Sequence, residues 1–148
     1  MSKITVQSPV VHTPAFNEYS IPANDMMARV RDAGLQLPMG MMDLTYYYTD
    51  LEGWTKLIEH LIIKSSLYKA EKFDCEDYAM KAAITCRELY GLNTMAFVLG
   101  NMPLGYHGFN MIYTGQEFLL FEPNAGFDCS GQAFPIGEFG YTPSLVLV

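Results

Sequence analysis

The sequence predicts an α+β domain in which helices pack on a small antiparallel sheet. Apolar residues recur at helical spacing between residues 50 and 91, and short runs of β-forming residues with glycine-containing turns follow between residues 94 and 123. Helices followed by consecutive strands favour this class over an alternating α/β fold. The length of 148 residues suits one compact domain.

Composition excludes several classes of partner. The formal net charge is −7 and no cluster of Lys and Arg occurs, which argues against binding to nucleic acid or anionic membranes. The first residues lack a signal-peptide core, and no apolar run is long enough to span a membrane. We therefore expect a soluble, cytoplasmic protein. Three cysteines cannot all pair, so reduced thiols are expected as well.

Residues 1–45 read as an irregular N-terminal arm, and residues 46–148 as the α+β domain. The arm contains four prolines and a methionine cluster, and it would wrap the core or contact a partner, including a second copy in a homo-oligomer. Its one regular element would be a short helix, which Asn24 or Asp25 would cap and Gly34 would end.

The first helix of the domain is predicted from Asp50 to about Ser65. Its apolar residues recur at helical spacing: Leu51, Trp54, Leu57, Ile58, Leu61 and Ile62. Asp50 is a suitable N-cap, although Gly53 stands where a full capping box would have Glu or Gln.

The second helix has a clear start at Asp74 and a clear end at Gly91. One side stays small and apolar, through Ala79, Ala82, Ala83, Cys86 and Leu89, which permits close approach of a sheet. Cys75, in the first turn, lies about 16 Å along the helix from Cys86, beyond disulfide reach. We therefore expect Cys86 to be a core residue.

Three strands are predicted next, over residues 94–100, 107–114 and 117–123. Gly115 and Gln116 form a two-residue hairpin loop between the last two strands. That turn places His107 opposite Asn124 and diagonal to Glu122 on one face. A loop longer by one residue would send His107 and Glu122 to opposite faces.

The face bearing His107 also carries a row of large apolar side chains, namely Phe109, Met111, Tyr113, Phe118 and Leu120. We expect this face to cover the helix that begins at Cys75. A thiolate is favoured at a helix N-terminus and beside an imidazolium. Cys75, His107 and Glu122 together could supply a nucleophile, a general acid/base and the group that orients its ring.

Acidic residues surround the cysteine and oppose thiolate formation. Asp74, Glu76 and Asp77 are interpreted either as capping residues that compensate the helix dipole or as ligands of a hard cation such as Ca²⁺ or Mn²⁺. The sequence leaves both interpretations open.

Three motifs in order, FDCEDYA, GYHGFN and FEPN, resemble those of papain-like and transglutaminase-like cysteine enzymes. The greatest resemblance is to the C-terminal peptidase domain of Marasmius oreades-type agglutinins and its stand-alone relatives. It covers roughly residues 45–127 and departs from the family pattern at three positions: Glu76 for aspartate, Gly108 for alanine and Asn124 for glutamine.

The resemblance implies a papain-like fold with Cys75 as nucleophile, His107 as general acid/base and Glu122 as its orienting partner. It also places Asn124 near the oxyanion or substrate and makes Trp54 a candidate site-lining aromatic, although a helix-face Trp is more often core. The agglutinin-type relatives are proteolytic and respond to divalent cations, which adds weight to a cation near Asp74, Glu76 or Asp77.

Two functions are expected. The first is a cysteine hydrolase that cleaves a peptide or isopeptide bond through a thioester, with acyl transfer to an amine left open. The second is a non-catalytic interaction protein or virion-type structural protein that retains the fold, in which the arm and the apolar tail SLVLV would add to a neighbour's sheet or groove.

Overall fold

Two antiparallel sheets and three α-helices make up residues 12–148, the part of the chain that the computed structural model describes. The elements are β1 (Tyr19–Pro22), α1 (Ala23–Asp32), β2 (Thr45–Tyr48), α2 (Leu51–Ile58), α3 (Cys75–Tyr90), β3 (Ala96–Met102), β4 (Gly105–Tyr113), β5 (Phe118–Phe121), β6 (Ala133–Pro135) and β7 (Thr142–Leu147). The large sheet has the order β6-β5-β4-β3-β7, and β1 pairs with β2. The predicted α+β class is confirmed.

The described part of the arm, from residue 12 to residue 45, is more regular than predicted. It contains β1 and α1, and four of its apolar side chains are buried in the core: Ile21, Met26, Val30 and Leu35. The predicted helix is present, but its N-cap is Pro22, not Asn24 or Asp25, because the chain passes directly from strand into helix with Pro22 extended. Gly34 follows the helix with a φ of 78°. Residues 1–11 of the arm lie outside the described residues.

Helix α2 is shorter than predicted. Asp50 caps it, since its Oδ1 accepts a hydrogen bond from the Gly53 N–H at 2.9 Å, but the helix ends at Ile58 rather than near Ser65. The chain then turns so that the Ile63 N–H donates to the Pro123 carbonyl at 2.8 Å. Leu61 and Ile63 are buried in the same core cluster as the apolar side of α2, so the apolar pattern of the sequence continues beyond the helix itself.

Helix α3 begins and ends as predicted, between Asp74 and a left-handed Gly91 with a φ of 68°. Cys86 is buried on its sheet-facing side, as expected. This helix has 16 residues, and within residues 12–148 no helix combines the length and apolar character needed to cross a membrane.

The hairpin register is also confirmed. Asn110 pairs with Phe121 and Met111 with Leu120, as a two-residue loop requires. The Thr114 N–H donates to the Glu117 carbonyl at 3.0 Å and closes the turn.

The face that covers α3 was predicted wrongly. The large side chains of Phe109 and Met111 pack with α1 and its neighbours, whereas α3 lies on the opposite face, which carries Gly108, Asn110 and Ile112. Gly108 on that second face allows the start of α3 to approach closely, and the arm covers the face that carries Phe109 and Met111.

The tail SLVLV is part of the molecule's own sheet. As β7 it pairs with β3 on one side, and Gln36 exchanges backbone hydrogen bonds with Ser144 and Val146 on the other. Its backbone is therefore engaged within the molecule. The second functional hypothesis had instead expected this tail to add to a neighbour's sheet.

Candidate active site

Cys75 is the first residue of α3, and its neighbours form the cap. The Asp77 carboxylate accepts from the Asp74 N–H at 3.1 Å, as in a capping box, and the Asp74 Oδ2 accepts from the Glu71 N–H at 3.1 Å. The Asp77 carboxylate is thus used in capping the helix. The thiol lies at the positive end of a four-turn helix, where an anion is favoured.

The start of α3 rests directly on β4 beside His107. A Cβ placed on Gly108 would lie 3.0 Å from the Glu76 Cα and 3.1 Å from the Glu76 N, so only glycine allows this approach without displacement. Since Cys75 precedes Glu76 and His107 precedes Gly108, the contact brings together the backbone segments that carry the thiol and the imidazole. Asn110 secures it by donating from Nδ2 to the Ala79 carbonyl of α3 at 2.8 Å.

The segment of β4 that contains His107 and Gly108 has one open edge. Strand β5 ends at Phe121, opposite Asn110, whereas β4 continues back to Gly105 without a β5 neighbour. In this gap a backbone hydrogen bond from Gly108 acts to lower the pKa of the Cys75 thiol. The sulfur therefore lies beside the backbone of the residue that follows His107.

His107 and Glu122 form a buried pair. The His107 Nε2 lies 2.7 Å from the Glu122 Oε2, and Glu122 is only 1% exposed. The other carboxylate oxygen accepts from the Asn124 N–H at 2.9 Å. Because Nε2 is used in this way, Nδ1 is the ring nitrogen that remains for a thiol or a substrate.

Tyr141 is a further member of this network that the sequence did not indicate. Its hydroxyl donates to the Glu122 Oε2 at 3.0 Å, and burial, followed by the charge of Glu122, raises the pKa of Tyr141, which keeps the phenol a donor. Tyr141 just precedes β7, which was not predicted as a strand, so no local pattern connected it to Glu122.

Aromatic side chains enclose the imidazole. The ring centroids of Phe109, Phe127 and Tyr141 lie 6.1, 5.3 and 6.0 Å from that of His107. This enclosure limits access of water to the hydrogen bond between His107 and Glu122, which strengthens that bond.

The thiol itself is turned toward Glu76. The Cys75 Sγ donates to the Glu76 Oε2 at 3.2 Å, and among the described residues no hydrogen bond joins Sγ to His107. Burial raises the pKa of Cys75, and the Glu76 hydrogen bond and charge raise it further. Cys75 and His107 nevertheless line the same two cavities, of about 390 and 340 Å³.

Asn124 lies at the rim of the smaller cavity, but Trp54 is elsewhere. The Asn124 Oδ1 accepts from the Gly126 N–H at 2.9 Å, which leaves its Nδ2 as the donor available at the cavity. Trp54 is fully buried, donates from Nε1 to the Tyr113 carbonyl at 2.8 Å and lines neither cavity. Its position is that of a core residue, so the structure does not bring it to the site.

The acidic group meets part of the requirement for a cation. Ligand atoms of Asp74, Cys75 and Glu76 lie within 4.8 Å of one another, and the Asp74 Oδ1 is buried without a hydrogen-bond partner in the described structure. The hydrogen bond between the two carboxyl groups raises the pKa of Asp74 and lowers that of Glu76. These oxygens fit a hard cation, whereas Asp77 is outside the group.

The other two cysteines are unsuited to nucleophilic chemistry. Cys75, Cys86 and Cys129 are all free thiols. Burial raises the pKa of Cys86 to about 12, and it also raises the pKa of Cys129, which neighbours Tyr141.

Comparison with known proteins supports the fold alone. No protein-family model matches this chain, and no curated protein matches it either. Among solved structures, the chain is similar to one described as "PSL1a-E64 complex", with a TM-score of 0.61 and 19% sequence identity. The similarity covers 87% of this chain and 51% of the other, so this chain spans about half the length of that relative.

Proposed function

We propose that this chain is a cysteine hydrolase that cleaves a peptide or isopeptide bond through a thioester. The observation that carries the proposal is the buried 2.7 Å pair of His107 and Glu122, whose ring lines the same cavities as a cysteine at a helix N-terminus. The structural relative is a complex with E64, an inhibitor of cysteine proteases, which supports this class of chemistry for the fold.

The reaction needs three groups in fixed roles. The Cys75 thiol turns from Glu76, gives its proton to the His107 Nδ1, and the sulfur attacks the carbonyl carbon. The carbon–nitrogen bond then breaks as Nδ1 returns the proton to the departing amine, leaving a thioester. Water then gives a proton to the same nitrogen and attacks the thioester carbon. The carbon–sulfur bond breaks, the carboxylic acid product leaves, and Nδ1 returns the proton to the sulfur, which restores the thiol. Glu122 holds the ring by its Nε2 throughout.

Two donors are available for the oxyanion. The backbone N–H of Cys75 lies in the first turn of α3, where N–H groups have no partner within the helix. The Asn124 Nδ2 is at the rim of the same cavity. If an amine rather than water attacks the thioester, the reaction becomes acyl transfer, and these groups serve both outcomes.

A divalent cation belongs to the proposal as a modulator. Asp74 and Glu76 would hold Ca²⁺ or Mn²⁺, and the ion would supply positive charge that offsets the carboxylates near the thiol. Catalysis itself is assigned to the residues of the chain.

The test compares wild type with Cys75→Ala on a fluorogenic peptide, with and without an added primary amine. We expect hydrolysis by wild type and none by the variant, and the amine adduct, read by mass spectrometry, reports acyl transfer. Equal activity of the two proteins would remove Cys75 from the mechanism. Labelling by iodoacetamide at the rate of a denatured control would argue against an activated thiol.

A second candidate is a non-catalytic interaction protein or structural protein that keeps this fold. It is favoured by the raised pKa of Cys75 and by the hydrogen bond from its thiol to Glu76, since both disfavour the thiolate. In that case the site would be a remnant. A thiol that remains unreactive in Glu76→Gln and with added cation would support this candidate over the hydrolase.

A further inference from the structure

The two cavities meet at the thiol and extend from it in different directions. Cys75, Tyr106 and His107 line both. The first, called here the helix cavity, is completed mainly by Met80, Phe97 and Leu99. The second, called the loop cavity, is completed by Tyr68, Met102, Leu104, Asn124 and Phe127. A chain lying across Cys75 would therefore place side chains in both.

Large apolar side chains remain accessible in each cavity. Met80 follows Cys75 along α3 and is 44% exposed, and Leu104, in the turn between β3 and β4, is 86% exposed. Phe97 and Leu99 project from β3 on the α3 side of the sheet but are only half-buried. Exposed apolar groups that converge on a reactive centre are typical of a binding site.

The charges at the site exclude one kind of side chain. Within residues 12–148, Glu76 is the only acidic residue that lines either cavity, and no Lys or Arg lines them. Asp74 lies within 4.8 Å of Glu76. An acidic side chain of a substrate would lose its hydration against apolar surface and would also be repelled by these carboxylates.

We propose that the cleft selects polypeptides with large apolar side chains on both sides of the carbonyl that Cys75 attacks, and that it rejects acidic residues there. This inference rests on the proposed function, since it names the substrate class of the same site. One flanking side chain occupies the helix cavity and the other occupies the loop cavity.

The test measures binding without catalysis. The probes are four-residue peptides whose central peptide bond is N-methylated and therefore resists hydrolysis. One carries leucine on both sides of that bond, others carry glutamate on one side only, and another carries glutamate on both sides. Each peptide is titrated against iodoacetamide alkylation of Cys75, localised by mass spectrometry. We expect the leucine peptide to protect Cys75 at concentrations at least about tenfold lower than the peptide with two glutamates. Equal protection by all peptides would overturn the inference, as would an absence of protection.

Three matched variants assign the two cavities. Met80→Lys and Leu104→Lys each place a cation in one cavity, and Ile84→Lys adds the same charge to an exposed position of α3, 62% exposed, that lines neither. We expect Met80→Lys to restore protection by glutamate on one side, Leu104→Lys to restore it on the other side, and Ile84→Lys to change neither. Restored protection in Ile84→Lys to the same extent would contradict the assignment. Restored protection on the same side in both cavity variants would also contradict it.

Failure of this inference is distinguishable from failure of the proposed function. A thiol that iodoacetamide alkylates faster than the denatured control but that no peptide protects selectively would retain the hydrolase and remove the substrate class. Selective protection without any hydrolysis of ordinary peptides would retain the apolar cleft and remove the hydrolase.

Discussion

The hydroxyl of Tyr141 donates a hydrogen bond to the same oxygen of Glu122 that lies 2.7 Å from the His107 ring nitrogen. Tyr141 is 2% exposed, so its hydroxyl is fixed in place. A carboxylate in an apolar interior depends on such donors for its charge and orientation. Tyr141 is thus a positioning residue that acts on the imidazole through Glu122.

Replacing Tyr141 by Phe should lower kcat by about tenfold or more, since one hydrogen bond to a buried charged group is worth about 1.5–3 kcal/mol. KM should change little, because Tyr141 lines neither cavity. Steady-state kinetics separates the two parameters, and proton NMR of the His107 Nε2–H should show a shifted resonance.

Tyr46→Phe is the control for Tyr141→Phe. Tyr46 is also fully buried, and its hydroxyl donates to the Val148 carbonyl at 3.1 Å. Its loss should reduce stability without moving kcat or the imidazole resonance. If both variants affect kcat equally, the role of Tyr141 is only structural.

Local chemistry explains how much of the site was predictable. Asp74 and Gly91 determine the ends of α3, and the Gly115 turn fixes the register that aligns His107 with Glu122. Each of these depends on a few consecutive residues. They were sufficient to bring His107 and Glu122 together, but the position of Cys75 depends on which face of the sheet α3 covers.

That choice of face is not local. It follows from the arm, whose α1 covers the bulky side of the sheet, and from Gly108, whose missing Cβ admits the start of α3. The position of Tyr141 likewise depends on the pairing of β7 with β3, between segments about forty residues apart. Patterns within a short window do not contain such information, since it arises from packing between distant segments.

Replacing Gly108 by Ala tests this contact. The new Cβ would approach the Glu76 backbone to about 3 Å and would displace the start of α3 from β4. We expect a loss of about 1–3 kcal/mol in the free energy of unfolding from overpacking, together with slower alkylation of Cys75. Chemical denaturation and iodoacetamide kinetics measure the two effects. An unchanged alkylation rate would show that the contact does not position the thiol.

Replacing Glu76 by Gln should make Cys75 more reactive. The carboxylate raises the pKa of the thiol through its hydrogen bond and its charge, so a neutral amide lowers that pKa and increases the thiolate fraction at a given pH. The acidic limb of alkylation against pH should therefore move to lower pH. Glu88→Gln, an exposed position of the same helix, is the control and should leave the profile in place.

The two cysteines of α3 should respond oppositely to substitution. Cys75→Ala should abolish hydrolysis and leave the free energy of unfolding nearly unchanged, because this thiol lies at the helix start and is partly exposed. Cys86→Ser should retain activity but lose about 1–3 kcal/mol of stability, because it places a hydroxyl in the core. Fluorogenic hydrolysis and urea titration measure these outcomes, and activity in Cys75→Ala would refute the nucleophile.

Added Ca²⁺ or Mn²⁺ should raise both the alkylation rate of Cys75 and the melting temperature. A cation held by Asp74 and Glu76 would offset the charge that raises the pKa of the thiol. An ion that binds only the folded state would also stabilise that state against unfolding. Asp74→Asn is the matched variant, since asparagine retains N-cap ability while removing the charge. Both responses should be lost in Asp74→Asn and in Glu76→Gln. A cation response that persists in these variants would place the ion elsewhere, and its absence in wild type would remove the cation from the proposal.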